Sequence, residues 1–277
     1  MKLFVTDIDD TLSVGEAVSE EVKSACARLK NNGWEIMIAT GRTFGTARRH
    51  MEAASATQPA ILYDGARVMD MRGKEIRSFL FDFSLATKLL DFLWTLPAEI
   101  QVAGDEIIHC RESDVETDRF YREAQVPVYH IAAPLISGPV YRIGLWLKPE
   151  NFSFIEDKVR TAFGDFAEVV SGGTEFLDIL PKGVSKGSAL EFCVSNLPKR
   201  PDIIVAAGDH KNDLTMLRRA DVAAIPSNAA EALLPLADIV MPKAAENGIS
   251  VLIRHILSPD FFPENKPPDK KKRPLVL

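Results

Sequence analysis

The apolar run Lys2-Leu3-Phe4-Val5-Thr6 ends in Asp7-Ile8-Asp9-Asp10-Thr11, where carboxylates crowd around a hydroxyl. Like charges this close repel one another, so the arrangement suits a bound cation, or one carboxylate acting as a nucleophile. Asp7 and Asp9 are the candidate working pair. An Asp-rich turn capping the next segment is the ordinary alternative, and it is open on this stretch alone. Three further clusters complement the first. Thr40-Gly41-Arg42 offers a hydroxyl and a close-approaching backbone, Lys186 in Ser185-Lys186-Gly187 offers a cation, and Gly208-Asp209-His210-Lys211-Asn212-Asp213 offers further carboxylates. A carboxylate nucleophile facing a phosphate dianion needs such compensation from a divalent cation, a lysine and N–H groups at a helix start. Taken singly, Thr40 reads equally as a helix cap and Lys186 as a solvated lysine.

The elements that must position these residues follow from hydrophobic periodicity. Ser19-Glu20-Glu21 reads as a capped helix start, with Val22, Ala25, Cys26 and Leu29 at helical spacing and Gly33 past the end. Residues 34–39 form a second apolar strand, which completes a β-α-β unit and implies a parallel sheet. A third short strand spans 60–63, and segments 67–69 and 75–77 pair as a hairpin. From 83 to 181 the pattern changes: helices over 85–96, 115–123 and 152–163 alternate with strands over 99–102, 106–109, 141–147, 167–170 and 176–180, the last two around Gly172-Gly173. The doubly wound pattern then resumes, with strands over 202–207, 222–225 and 239–240 and a last helix over 249–257. The expected fold is therefore α/β, a doubly wound, mainly parallel Rossmann-like core of residues 1–82 and 182–257 with an inserted α+β cap domain of residues 83–181. The Pro- and Lys-rich tail, 258–277, is expected to be extended or disordered.

In such sheets ligands gather beyond the carboxyl ends of the strands, so three of the four clusters converge there although they are remote in sequence. Asp7, Asp9, Asp209 and Asp213 then share one crevice, and Mg²⁺ fits such an all-oxygen set. Composition narrows the alternatives. With 46% hydrophobic residues the chain can bury a substantial core, and a net charge of −6 disfavours a broad surface for nucleic acid or anionic membrane. Cys26, Cys110 and Cys193 form no Cys-x-x-Cys pair, which points to free thiols in a reducing compartment without a disulfide framework or zinc site. No apolar run approaches the ~20 residues that span a bilayer, and no signal peptide is visible, so a cytoplasmic location is expected. A Gly-x-Gly-x-x-Gly fingerprint and a P-loop are both missing. The five histidines have no metal-ligand spacing.

Asp7-x-Asp9-x-Thr11, Thr40-Gly41-Arg42, Lys186 in Ser-Lys-Gly and Gly208-Asp209-x-x-Asn212-Asp213 together resemble, in order and spacing, the motifs of the haloacid dehalogenase superfamily of phosphatases. The placement of the inserted unit resembles the Cof-type subclass, and Asn228-Ala229 and Asn247-Gly248-Ile249 extend the likeness to about residue 257. The resemblance implies that Asp7 is a nucleophile forming an aspartyl-phosphate and that Asp9 is its acid and base. Thr40 and Lys186 would hold the phosphoryl group, with Ile8, Gly41, Arg42, Asp64 and Asn212 around the phosphate. Mg²⁺ would be held by Asp7, the Asp9 carbonyl and Asp209, with Asp213 as an outer or additional ligand. Asn212 would orient Lys186 or the phosphoryl oxygens. The implied reaction is hydrolysis of a small phosphorylated metabolite, foremost a sugar phosphate; a phosphosugar mutase and a non-catalytic phosphate- or metal-binding module are the alternatives. One departure stands out: Asp64-Gly65-Ala66 replaces the usual Asn-Gly-Ala. The extra carboxylate requires a cation, for which Arg42 or Arg67 is expected, or a sugar hydroxyl; a solvated turn aspartate is the ordinary reading.

Overall fold

A computed structural model describes the whole chain except residues 136–137, 172–174 and 262–274. In chain order, β1 (Lys2–Thr6), α1 (Glu20–Asn31), β2 (Trp34–Ile38) and α2 (Phe44–Ala53) open the fold, followed by β3 (Ala60–Leu62), β4 (Arg67–Met69) and β5 (Glu75–Ser78). The next segment contains α3 (Phe83–Leu93), β6 (Glu99–Ala103), β7 (Ile108–Cys110), α4 (Val115–Glu123), β8 (Val128–His130), β9 (Arg142–Trp146), α5 (Phe152–Phe163), β10 (Ala167–Ser171) and β11 (Phe176–Pro181). The chain closes with α6 (Lys186–Ser195), β12 (Ile203–Ala207), α7 (Leu214–Leu217), β13 (Val222–Pro226), β14 (Ile239–Met241), α8 (Gly248–Ile256) and β15 (Leu275–Val276).

The first sheet is parallel throughout, in the order β15-β14-β13-β12-β1-β2. Strand β1 is buried on both faces, which is why its sequence is continuously apolar instead of alternating. Phe4 enters one core with Val22, Leu29 and Leu252, while Leu3 and Val5 enter another with Met37, Leu190 and Leu217. Because the strands run in one direction, β1, β2 and β12 all deliver their carboxyl ends to the same edge. Helix α1 begins as expected: the Ser19 hydroxyl accepts the Val22 N–H at 3.2 Å, and Val22, Ala25, Cys26 and Leu29 face inward.

The second sheet runs β10-β11-β9-β6-β7-β8, antiparallel except for the β7–β8 pair, and it holds its own core of Leu89, Leu93, Ile143, Leu145, Ile155 and Val159. Strand β3 joins the first sheet only at the Ala39–Ile61 bridge and otherwise forms a small antiparallel sheet with β4 and β5. Strand β8 was not anticipated from hydropathy, since Val128-Tyr129-His130 is short and mostly exposed. The Gly172-Gly173 turn and the Pro/Lys-rich tail over 262–274 lie outside the described residues, but Leu275 and Val276 pair with Ile239 and Val240 at the edge of the first sheet. Among the described residues no helix is long and apolar enough to cross a membrane. The cysteines are free and buried, and burial pushes their thiols up to about 12.

Candidate active site

Lys186 sits at the first turn of α6, where Ser185 caps the helix and its hydroxyl receives the Ser188 N–H at 3.1 Å. Its stem is buried, and its Nζ donates to Asp7 Oδ1 and to Asp213 Oδ1, each at 2.7 Å, with Asp64 Oδ1 at 3.9 Å. Asp7 follows β1 and Asp209 and Asp213 follow β12, so one lysine ties two strand ends together. The carboxylates hold Lys186 well above the ordinary lysine range despite its burial. Thr40 follows β2, fully buried, and its Oγ1 accepts the Arg42 N–H at 3.2 Å. Ile8 turns its side chain into the core while its carbonyl receives the Leu12 and Ser13 N–H groups, so its backbone alone can meet a ligand.

Oxygens of Asp7, Asp209 and Asp213 all lie within 4.8 Å of one another. Burial above all, then the neighbouring carboxylates, pushes Asp7 up against the pull of Lys186, and the same two causes raise Asp209 to about 6. One ammonium among these acids leaves excess negative charge, and an oxygen donor set of this kind fits a hard divalent cation. The donors are not equivalent. Asp213 spends Oδ1 on Lys186 and Oδ2 on the Asp209 and His210 N–H groups at 3.0 and 3.1 Å, whereas Asp209 receives the Thr11 hydroxyl on Oδ1 alone, at 2.8 Å. Asp213 therefore braces Lys186 and the turn, and Asp7 and Asp209 are the carboxylates with an oxygen to offer.

Asp9 stands apart, half-exposed, with Arg42 donating through Nη2 at 2.6 Å and Nε at 3.0 Å; Arg42 also reaches Glu16 at 3.1 Å.

Residues 4–253 match the haloacid dehalogenase-like hydrolases. The chain belongs to that family. It is 26% identical to phosphatase YwpJ of Bacillus subtilis, over 93% of this chain and all of that one. It is 27% identical to a chloroplastic protein of Arabidopsis thaliana named endoribonuclease YBEY, matching 88% of this chain but 44% of that protein's length. Among solved structures, the subclass IIB sugar phosphatase BT4131 superposes with a TM-score of 0.79 at 20% identity, covering 92% of this chain and 99% of the other, a likeness of fold.

Within this haloacid dehalogenase-like hydrolase, the partner of Asp64 differs from expectation. Arg42 is taken by Asp9 and Glu16, and Arg67 by Glu75, Asp105 and Glu106. Arg142 of β9 supplies the cation instead, its Nη1 lying 3.7 Å from Asp64 Oδ2 and 3.3 Å from Asp178 Oδ1. Asn212 likewise does not reach Lys186; its Nδ2 donates to Asp64 Oδ1 at 3.0 Å, so it acts on the lysine through Asp64. Gly41 permits this closeness, since a Cβ there would come within 2.9 Å of Asp64 Oδ2 and 3.2 Å of Arg142 Nη1. Asp64 is buried, with φ +54, and Gly65 at φ +108 passes so close to the Ser185 carbonyl that a Cβ would fall 2.2 Å from it. The solvated-turn reading of Asp64 thus gives way to a strained turn wedged against the start of α6.

A cavity of about 400 Å³ joins Asp7, Asp9, Gly41, Arg42 and Asn212 to a wall from the second sheet and α4. That wall includes Gln101, Tyr121, Arg142 and Asp178, none of which was singled out in the sequence. Burial pushes the Asp178 carboxyl up to about 6. Elsewhere, Cys110, Asp118 and His130 lie within ligand distance of one another, which their sequence spacing did not suggest. Arg122 already donates to both Asp118 oxygens at 2.7 and 2.9 Å, so that carboxylate is neutralised without a metal.

Proposed function

We propose that this hydrolase is a Mg²⁺-dependent phosphomonoesterase acting on a small phosphorylated metabolite, a sugar phosphate, through an aspartyl-phosphate on Asp7. The observation that carries the reading is the buried Lys186 ammonium, 2.7 Å from both Asp7 and Asp213, behind the Asp7 carboxylate that lines a cavity sized for a metabolite. The names of YwpJ and BT4131, a phosphatase and a sugar phosphatase, support it.

The Asp7 carboxylate attacks phosphorus and the bond to the leaving oxygen breaks. Asp9 gives that oxygen a proton, and then takes one from the water that attacks the aspartyl-phosphate, releasing phosphate and restoring Asp7. To do so, Asp9 must leave the Arg42 guanidinium that holds it here. Thr40 and the Ile8 and Gly41 backbone cradle the phosphoryl oxygens while Lys186 matches their charge. Mg²⁺, taken by Asp7, Asp209 and the Asp9 carbonyl with Asp213 behind them, would supply the positive charge that lets a carboxylate approach a phosphate. We assign residues 1–82 and 182–257 to the core and 83–181 to a cap that keeps bulk water from the intermediate. The buried thiols fit a reducing, cytoplasmic setting.

Asp7→Asn should abolish release of phosphate from p-nitrophenyl phosphate, and chelation of divalent cations should do the same to the unaltered protein. Full activity in the variant would overturn the assignment of Asp7, and full activity under chelation that of Mg²⁺.

A further inference from the structure

Resting on the phosphatase reading of this cavity, we propose that its far wall selects esters whose other half is an uncharged or cationic ring that donates hydrogen bonds. It turns away esters carrying a second anion, and Asp178, Asp64 and Arg142 make the distinction.

Among the described residues that line the cavity, three buried polar atoms have no hydrogen-bond partner: Arg142 Nε in that wall, and Asp64 Oδ2 and Asn212 Oδ1 on the side of the first sheet. Asp64 is 2% exposed and Arg142 9%, so neither is served by bulk solvent, and a buried polar group without a partner is costly. Two of the three atoms are acceptors, which calls for donors on the ligand. The charges point the same way. Arg142 Nη1 is shared between Asp178 at 3.3 Å and Asp64 at 3.7 Å, and the only other cation near them among the described residues, Lys186 at 3.9 Å from Asp64, is already spent on Asp7 and Asp213. The other arginine among the described lining residues is Arg42, held by Asp9 and Glu16, and Glu16 stays on it when Asp9 turns to the leaving oxygen. The phosphate is provided for at the Lys186 end. A second anion would face Asp178 and Asp64 with no unengaged arginine to meet it.

The remaining side of the cavity is aromatic. Phe120 is 45% exposed, and it packs with Phe176 at 6.3 Å and with Trp146 at 5.9 Å, leaving ring surface turned to the cavity. Such a surface takes the apolar face of a saturated or planar ring, while the carboxylates opposite take its hydroxyl or amino protons.

Three ring-matched probes test this: glucose 1-phosphate, glucuronate 1-phosphate, which exchanges a hydroxymethyl for a carboxylate, and cyclohexyl phosphate, which has no donors. Two quantities are read for each, kcat/KM for phosphate release with Mg²⁺ and calorimetric affinity for the Asp7→Asn protein. Glucose 1-phosphate should exceed glucuronate 1-phosphate by about tenfold or more and cyclohexyl phosphate by several-fold, in line with the loss when buried polar groups are left unpaired. Asp178→Asn should close the first gap by about tenfold. Phe120→Ala, at an exposed position that does not threaten the fold, should weaken glucose 1-phosphate and cyclohexyl phosphate together. Equal preference for the sugar and the uronate in the unaltered protein overturns the inference. So does an unchanged gap in an Asp178→Asn protein that melts normally. If no probe releases phosphate but binding keeps the stated order, the phosphatase reading falls and this one stands. Release of phosphate from all three at equal rates does the reverse.

Discussion

Lys186 is the residue on which the site's charge balance turns. A buried ammonium touching Asp7 and Asp213 is tolerated because the opposite charges and their hydrogen bonds offset the cost of taking each out of water; removing one partner of such a set leaves uncompensated charge, at about 3–5 kcal/mol. Lys186→Ala should therefore lower the melting temperature and also depress kcat by roughly 10²–10³, the usual loss when a donor to a developing oxyanion is deleted. Steady-state kinetics together with calorimetry check both. A fall in stability with kcat preserved would make Lys186 a structural brace alone. Asp213 shows why a carboxylate count is not a ligand count: both its oxygens are spent on Lys186 and backbone N–H groups. The motif residues Asp7, Thr40, Lys186 and Asp209 were legible in the sequence because each follows an apolar strand or opens a helix. The engagement of Asp213 was not, since it depends on where its side chain turns.

At the scale of elements, α2 carries a pH dependence of its own. His50 is fully buried; its Nδ1 lies 3.3 Å from the Thr46 carbonyl, and its Nε2 has no partner, so the ring sits neutral. Burial, above all, lowers its pKa from 6.5 to about 4. Between those values the unfolded chain binds a proton that the folded chain refuses. Stability is thus intact above pH 6.5 and declines as the pH falls toward 4, by about 2 kcal/mol at pH 5. For a chain of this size that is roughly 4–8 °C of melting temperature between pH 7.5 and 5, and His50→Leu should flatten the difference. Equal slopes in the two proteins would mean that other groups set the acid limit. The second sheet shows where legibility ended. Ile143 and Leu145 of β9, Leu177 and Ile179 of β11, and Ile100 and Val102 of β6 fill its core, so Arg142, Asp178 and Gln101 fall on the opposite face by the two-residue period of a strand. That alternation is present in the sequence. Which polar face looks into the cavity is fixed by how the sheet lies across the first one, and no local pattern encodes it.

At the scale of the whole molecule, the two sheets meet through a junction built largely from the β6–β7 turn. Glu106, at φ +57, accepts the Phe44 and Gly45 N–H groups at 3.2 and 2.9 Å, satisfying the start of α2, and also receives Arg67 at 3.2 Å. Beside it, the Tyr63 hydroxyl donates to the Gly104 carbonyl at 3.1 Å, and Tyr63 stacks on Tyr141 with ring centroids 5.3 Å apart. Helix α2 begins just after Thr40-Gly41-Arg42, so Glu106 ties the second sheet to the segment proposed to cradle the phosphate. A carboxylate at a helix N-terminus contributes about 0.5–2 kcal/mol. Were that energy used to hold the two units in the arrangement that encloses the cavity, Glu106→Ala would lower the fraction of molecules in that arrangement and raise KM by up to about tenfold, with little change in kcat. Substrate titrations of the variant against the unaltered protein give the answer. A fall in kcat at constant KM would instead place Glu106 in the chemical step, by way of α2 and Thr40, and the junction would then serve to align the phosphate cradle and not to close it.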